Sequence, residues 1–146
     1  MAAENARRKA LAIRGGLVLG ADTLVTVDGA ILGKPRDAAQ AVEYVGRLAG
    51  RRHTVAGGIA LARDGAIVAE AVEETDVTFR ELDAAEIAAY VALGEWRGRA
   101  GGYAIQGRGA VLVRRIAGDY LNVVGLPLAR LLDLLADVAP DRNLQA

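Results

Sequence analysis

The stretch Leu17–Pro35, LVLGADTLVTVDGAILGKP, predicts the strand and hairpin around which the rest of the chain is arranged. Its first residues form a short apolar run without helical spacing, bounded by glycines, which favours a buried strand. The strand is predicted to continue through Leu24–Val27. Asp28-Gly29 then supplies the two residues of positive φ that a tight hairpin turn requires. Ala30–Leu32 is therefore expected to return beside the first strand.

Asp22 and Lys34 are the candidate site residues of this stretch. Asp22 lies in the middle of apolar sequence. Because desolvating an ionised carboxylate is costly, it must have hydrogen-bond donors, a cation or an opening to solvent. The hairpin carries Lys34 back toward the start of the strand, so the carboxylate and the ammonium can face the same cleft. That arrangement is common where a metal-bound polyphosphate is held.

The choice of basic residues also singles out two lysines. Of the 18 basic residues, sixteen are Arg and only Lys9 and Lys34 are Lys. A compact ammonium that approaches a phosphate oxygen as a point charge is not replaced by a guanidinium fork. Both lysines are therefore site candidates. The alternative, that they are retained by chance at surface positions, stays open at this point.

Length and composition restrict the class of protein. The 146 residues fit one domain, residues 1–146, and 53% hydrophobic content is enough for a packed core. The 18 basic and 18 acidic side chains cancel, so binding to long nucleic acid is disfavoured. The absence of cysteine excludes disulfides and thiolate sites. No apolar run approaches the roughly 20 residues that span a bilayer. We expect no membrane partner and a cytoplasmic location.

Periodicity and turn signals predict four helices and four further strands outside the first hairpin. Capping signals begin two of the helices, at Asp37 and at the capping box Asp83–Glu86, and Pro127 is expected at the first position of the last one. The predicted helices cover residues 1–13, 38–48, 84–93 and 127–139, with Pro140 ending the last and residues 141–146 fraying. The predicted strands cover residues 53–62, 66–79, 110–116 and 120–124, and Asp64-Gly65 is expected to make a second tight turn between the first two of them.

Two other groups of polar residues are weak site candidates. Carboxylates suit hard cations, but the spacing of four of them alternates between strand faces, which favours a solvated face over a metal site. These four are Glu70, Glu73, Glu74 and Asp76. His53 is the only histidine and cannot make a zinc site without further nitrogen or sulfur ligands. A structural or substrate-edge role is favoured for it over catalysis.

The most glycine-dense part of the chain is Glu95–Gly109, EWRGRAGGYAIQGRG. Such density lets the backbone approach a ligand closely, or merely serves turns. Gln106 follows a short apolar run within it. Its amide could read a base edge through one donor and one acceptor, or could satisfy neighbouring backbone. From the residues alone, the backbone role is favoured.

Six segments in order, which span almost the whole chain, resemble the Maf (septum-formation-inhibitor-like) nucleoside triphosphate pyrophosphatases. No single motif carries this resemblance, but the ordered set is specific. The segments are GADTLV (20–25), DGAILGKP (28–35), GRRHTVAGGIAL (50–61), ETDVTFREL (74–82), AGGYAIQGRGA (100–110) and GDYLNVVGLPL (118–128).

The resemblance implies a fold and an activity. The implied fold is α/β, with a mixed twisted sheet, flanking helices and two lobes around a cleft, and homodimers are common. The implied reaction cuts a nucleoside triphosphate to the monophosphate and pyrophosphate, with a divalent cation, Mg²⁺ or Mn²⁺. The IQG form of the glycine-rich motif resembles the branch that acts on dTTP and UTP.

The resemblance also implies roles for individual residues. The aspartate of the ADT motif, the proposed proton acceptor, falls on Asp22, which is also a possible metal ligand. The threonine and glutamine linked to substrate choice fall on Thr23 and Gln106. The lysine of the GKP motif is Lys34, and the lysine of the preceding helix matches Lys9.

The chain departs from the family pattern at its beginning. Family members usually start with a strand and a Ser-x-Ser-Pro-Arg-Arg loop, followed by a glutamate, which help to bind phosphates and metal. This sequence has no such segment, and its Met1 matches a point several tens of residues into the family pattern. An N-terminally truncated domain is therefore expected. The alternatives are a nucleotide-binding or regulatory protein without turnover, and a fragment that folds poorly.

Overall fold

The computed structural model describes residues 1–139, which form a five-stranded sheet and five α-helices. The strands are β1 (Leu17–Val27), β2 (Ala30–Leu32), β3 (Arg52–Arg63), β4 (Ala66–Phe79) and β5 (Val113–Ala117). The helices are α1 (Ala2–Leu11), α2 (Ala38–Leu48), α3 (Ala84–Ala92), α4 (Tyr120–Val124) and α5 (Leu128–Val138). The predicted α/β class is confirmed for these residues.

The sheet has the strand order β2-β1-β3-β4-β5 and is antiparallel. β1 pairs with β2 from Val25–Leu32 to Val27–Ala30, and β4 pairs with β5 from Asp76–Ala117 to Phe79–Val113. The expectation of a mixed sheet is wrong for the described strands. The helical connection through α2 places β2 and β3 on opposite sides of β1, so these two strands, which share a direction, are not neighbours.

The two predicted hairpin turns are present. Asp28 and Gly29 have φ of 48° and 78°, and Asp64 and Gly65 have φ of 51° and 83°. Turns with two positive φ values match the right-handed twist of the strands they join. The local turn chemistry therefore determined both hairpins.

The prediction that residues 120–124 form a strand is wrong, because they form the short helix α4. A short apolar run can be buried as strand or helix, and periodicity cannot separate the two. Here Asn122 is fully buried over Gly57, and its amide donates to the Glu73 carbonyl oxygen at 3.0 Å. The strand predicted at residues 110–116 also begins later, after a 3-10 turn at Arg108–Leu112.

The capping predictions are confirmed, with one shift at the last helix. Asp37 accepts a hydrogen bond from the Gln40 amide, and Asp83 and Glu86 form both bonds of the capping box. Pro127 is the N-cap of α5 and not its first helical residue. The helix end predicted at Pro140 and the tail 141–146 lie outside the described residues. Within residues 1–139, no helix is long and apolar enough to cross a bilayer.

The chain forms two compact units, of which the first comprises residues 1–23, 56–73 and 121–139 of the described chain. One face of its strands is covered by α1. Three buried alanines, spaced four residues apart, form the contacting face of this helix: Ala2, Ala6 and Ala10. The other face packs against α5, where Leu131 joins a cluster with Ile59 and Leu61.

The second unit comprises residues 24–55 and 74–120. Its core contains three rings in edge-to-face packing, with centroids 4.7 to 5.4 Å apart: His53, Phe79 and Tyr103. Such geometry is favourable because the positive edge of one ring meets the negative face of the next. This cluster joins the glycine-rich segment to β3 and β4.

Candidate active site

Asp22 lies on β1 with both carboxylate oxygens hydrogen-bonded. The Lys9 ammonium donates to one oxygen at 2.9 Å and to the Ala21 carbonyl oxygen at 3.1 Å. The Asn5 amide donates to the other carboxylate oxygen at 2.9 Å. The Asp22 side chain is 15% exposed and that of Lys9 is 54% exposed. The charge required to stabilise a carboxylate in apolar sequence is therefore supplied by α1.

Two glycines bring α1 close enough for this contact. A Cβ atom at Gly20 would lie 2.1 Å from the Ala6 carbonyl oxygen, and one at Gly58 would lie 2.3 Å from the Ala2 carbonyl oxygen. The helix backbone thus rests directly on the strands. Asn5 and Lys9 are four residues apart, so they lie on the same side of the helix, one turn from each other. Both side chains reach Asp22 because the helix lies so near.

Asn5 was not among the predicted site residues. A signal for it exists in the sequence, since it precedes Lys9 by one helical turn in a helix whose alanines mark the buried face. The composition and the family resemblance both made Lys9 a site candidate, but a direct contact between Lys9 and Asp22 was not predicted. The structure shows the contact directly.

Thr23 is half-buried on β1, next to Asp22. Successive side chains of a strand point to opposite faces. Ala21 packs against the cluster of α5, so Thr23, two residues further on, belongs to that face and Asp22 to the face of α1. A role for Thr23 in substrate choice stays a prediction.

Lys34 is exposed and lies two residues beyond the last β1–β2 pair, in the second unit. The carbonyl oxygen of Gly33 accepts a hydrogen bond from the Gly101 amide at 3.0 Å. The segment that carries Lys34 is thereby tied to the glycine-rich segment. A common cleft for Lys34 and Asp22 stays a prediction.

Gln106 is exposed in the turn that follows Ile105. Its side chain has no hydrogen bond to other groups within residues 1–139, contrary to the backbone role favoured from the residues alone. The turn is organised by Glu95 instead. The Glu95 carboxylate accepts from the amides of Arg108 and Gly109 at 2.9 and 3.1 Å, and from the Tyr90 hydroxyl at 2.9 Å. The amide of Gln106 is therefore available to a ligand.

Two glycines of this segment are required by close contacts in the loop around Glu95. A Cβ atom at Gly107 would lie 2.5 Å from a Glu95 carboxylate oxygen, and one at Gly109 would lie 2.3 Å from the Ala104 carbonyl oxygen. The hydrogen bond from the Arg108 amide is the largest cause of a lowered pKa of Glu95, with further bonds from Tyr90 and Gly109. These glycines close the loop around a carboxylate of the chain itself.

His53 is buried in the aromatic cluster, at 1% exposure, and its Nε2 is 2.6 Å from the Tyr103 hydroxyl. Burial lowers the pKa of His53 to about 4, against a smaller opposing effect of Asp76. The ring is therefore neutral near pH 7. The structural role favoured for it from the sequence agrees with this position.

The carboxylates of β4 do not form a metal site. No group of three or more His, Asp or Glu side chains within residues 1–139 could hold a metal ion. Glu70 pairs with Arg7 at 3.2 Å, and Asp76 accepts from the Thr54 hydroxyl at 2.9 Å. A Mg²⁺ ion usually takes only one or two carboxylates, together with substrate phosphates and water. Asp22 fits that more limited requirement.

Comparison with known proteins finds one matching family and several similar relatives. The chain matches the family model described as "Maf-like protein" over residues 1–138. It is 50% identical to a dTTP/UTP pyrophosphatase of Symbiobacterium thermophilum, over 92% of this chain and 69% of the relative. It is 48% identical to a dTTP/UTP pyrophosphatase of Moorella thermoacetica, over 93% and 71%. It is 52% identical to one of Paramagnetospirillum magneticum, over 88% and 71%.

The antiparallel sheet with its flanking helices defines an α/β protein, in which a carboxylate of β1 is held by a lysine of the preceding helix. The chain belongs to the Maf family.

Proposed function

We propose that this protein is a dTTP/UTP pyrophosphatase, which hydrolyses the bond between the α and β phosphates to give a nucleoside monophosphate and pyrophosphate. The identity of about half the residues to relatives with this name supports the proposal. The structural observation behind the proposal is the contact of Asp22 with Lys9 and Asn5. In this contact, a carboxylate and the ammonium of a partly exposed lysine lie within hydrogen-bond distance.

Asp22 is the proposed proton acceptor. Each carboxylate oxygen has two lone-pair sites, and the bonds from Lys9 and Asn5 leave acceptor capacity on both. An attacking water can therefore donate to Asp22 without displacing either partner. The oxygen of this water forms a bond to the α phosphorus, the bridging bond to the β phosphate breaks, and the water proton passes to Asp22.

Lys9 and Lys34 are the proposed cations for the phosphates. The side chain of Lys9 is more than half exposed although its ammonium contacts Asp22, so it can offset charge that develops on phosphate oxygens. Lys34 is exposed at the end of the hairpin. Thr23 and Gln106 are the proposed determinants of base preference, and the free amide of Gln106 offers one donor and one acceptor for a base edge.

A divalent cation, Mg²⁺ or Mn²⁺, belongs to the proposal as the partner of the triphosphate. Asp22 is the carboxylate that would hold it, and the ion would polarise the phosphate and reduce its charge when bound. In this proposal Asp22, Lys9 and Lys34 act on water and phosphate through their own side-chain atoms, and none of these steps passes through the cation. A homodimer, common in the family, is also proposed, and light scattering of the purified chain tests it.

The test compares the parent chain with Asp22→Asn, which keeps the shape and removes the base. Pyrophosphate release from dTTP and UTP should fall at least 100-fold, the scale of a general base. Calorimetry with UTP is run in parallel. Equal turnover of the two proteins contradicts the role of Asp22, and binding of UTP by the parent without any release supports a binding or regulatory protein instead.

A further inference from the structure

A cavity of about 210 Å³ lies on the sheet of the second unit, and none of the site residues assigned above lines it. Its lining comes from three neighbouring strands, β3, β4 and β5, and consists of Arg52, Asp76, Thr78, Arg115 and Ala117. Asp76 is paired with Ala117, and Thr78 with Arg115. Paired residues share a face of the sheet, so the cavity belongs to one face.

The opposite face of these strands is the aromatic core. His53, Val77 and Phe79 alternate with the lining residues and are buried. Buried and more exposed residues alternate over Arg52–Ala56 of β3 and over Thr75–Phe79 of β4, so the lining residues form a regular polar face of the sheet.

The charges around the cavity are not balanced. Arg52 and Arg115 are exposed, and neither forms an ion pair with any group of residues 1–139. Asp76 lies beside them, but one of its oxygens accepts from the Thr54 hydroxyl at 2.9 Å. Two guanidinium groups thus face a single carboxylate, and the cavity has a net positive charge.

We propose that this cavity binds a phosphate oxyanion that retains a proton, namely inorganic phosphate or pyrophosphate. The guanidinium groups of Arg52 and Arg115 donate to its oxygens in the forked geometry that suits phosphate. The Thr78 hydroxyl donates to a further oxygen. Asp76 accepts a hydrogen bond from the hydroxyl that the anion retains at neutral pH, since a carboxylate offers acceptors only.

This donor and acceptor set selects among anions. Sulfate carries no proton near pH 7, so its oxygens would meet the Asp76 carboxylate without a hydrogen bond. An unpaired acceptor facing an anion is unfavourable. The cavity therefore prefers hydrogen phosphate and hydrogen pyrophosphate to sulfate. The binding does not depend on turnover at Asp22, and it can be measured whether or not the proposed activity is found.

The experiment is titration of the full chain with inorganic phosphate, pyrophosphate and sulfate at constant ionic strength, by calorimetry and amide NMR. We expect phosphate and pyrophosphate to bind at least tenfold more tightly than sulfate and to shift amide signals of β3, β4 and β5. Arg115→Gln should weaken binding at least tenfold. Arg115→Lys, which keeps the charge without the fork, should give an intermediate loss and excludes misfolding as the cause.

Arg114→Gln is the matched control, because Arg114 is the adjacent exposed residue of β5 and does not line the cavity. It should change the affinity by less than twofold. Asp76→Asn should remove the preference over sulfate. Absence of binding, equal effects of the Arg114 and Arg115 variants, or equal affinity of the parent for sulfate would each overturn the proposal.

Asp22→Asn separates this proposal from the proposed function. The variant should retain phosphate and pyrophosphate binding while losing dTTP hydrolysis. If pyrophosphate binding is instead lost in Asp22→Asn and retained in Arg115→Gln, the anion belongs to the candidate active site and the cavity is not its binding site.

Discussion

Asp22 and Glu95 are two carboxylates that the chain satisfies in different ways. Asp22 receives its hydrogen bonds from side chains, those of Asn5 and Lys9. Glu95 receives two of its three from backbone amides, and its loop is closed around it by glycines. A side-chain donor can move to a substrate, whereas a backbone donor cannot leave without unfolding the loop. The difference supports the proposed chemical role of Asp22 and a structural role of Glu95.

The largest effect on activity is expected from a substitution that displaces α1, because this helix supplies both side-chain donors to Asp22. Gly20→Ala places a Cβ atom against the Ala6 carbonyl oxygen and must displace α1, so Asn5 and Lys9 leave Asp22. We expect dTTP hydrolysis to fall at least 100-fold, measured by pyrophosphate release. Hydrogen exchange should remain slow in the second unit.

Gly46→Ala is the matched control for this change. Gly46 lies within α2, and the nearest atom to an added Cβ is 3.9 Å away. Alanine in a helix interior stabilises by about 0.5–1 kcal/mol, so activity and fold should be retained. If Gly20→Ala kept its activity, the Asp22 contacts would not depend on the close packing of α1 against β1.

The next effect concerns the core that supports the Glu95 loop. His53 has a pKa of about 4 when folded, against 6.5 in the unfolded chain, because it is buried. Below pH 6.5 the unfolded chain therefore binds a proton that the folded chain does not. Stability is fully present above pH 6.5 and is lost as the pH falls toward 4. The pKa difference corresponds to about 3 kcal/mol.

Denaturant unfolding of the parent between pH 7.5 and 4 measures this loss. The double variant His53→Phe with Tyr103→Phe removes the titrating ring together with its hydroxyl partner. Its stability should depend less on pH over the same range. An identical pH dependence of parent and double variant would show that another group causes the loss.

Glu95→Ala tests whether the Glu95 carboxylate stabilises the glycine-rich turn. The change leaves the amides of Arg108 and Gly109 and the Tyr90 hydroxyl without their acceptor. Unsatisfied groups of this kind cost about 1–3 kcal/mol each when buried, and less where water reaches them. We expect a lower free energy of unfolding and a higher KM for dTTP, because the turn that carries Gln106 loosens.

The acid dependence of this variant provides an internal check. The pKa of Glu95 is lowered in the folded chain, so its contribution to stability is present above the ordinary value of 4.5 and is lost as the pH falls through the folded value. Glu95→Ala should lack this component. A large fall in kcat with KM unchanged would instead assign Glu95 a direct part in the reaction.

Asn5→Leu is expected to have the smallest effect on activity, and it tests whether the contact of Asn5 with Asp22 contributes to the proposed reaction. It removes one donor from Asp22 and leaves Lys9 in place. A hydrogen bond to a charged group contributes about 1.5–3 kcal/mol, so we expect kcat to fall about tenfold. Arg8→Gln, on the exposed side of the same helix, should stay within twofold of the parent. Equal kinetics of the Asn5 and Arg8 variants would remove Asn5 from the site.

The sequence by itself determined the features that depend on near neighbours. Asp28-Gly29 and Asp64-Gly65 made both hairpins, and the caps at Asp37 and Asp83 began two helices, because each of these depends on residues within a few positions. Asp22 stood out for a similar reason, as a carboxylate in apolar sequence. Lys9 was marked as a site candidate by composition and by the family resemblance, but its contact with Asp22 was not predicted.

Only the tertiary structure decided the features that depend on distant partners. Residues 120–124 became a helix because Asn122 is buried over Gly57, far away in the chain. Asn5 joined Asp22 because Gly20 lets the helix rest on the strand, and Glu95 closed the glycine-rich loop from more than ten positions away. The physical reason is that hydrogen-bond satisfaction and close packing are set by which backbones approach each other, and local patterns do not contain that information.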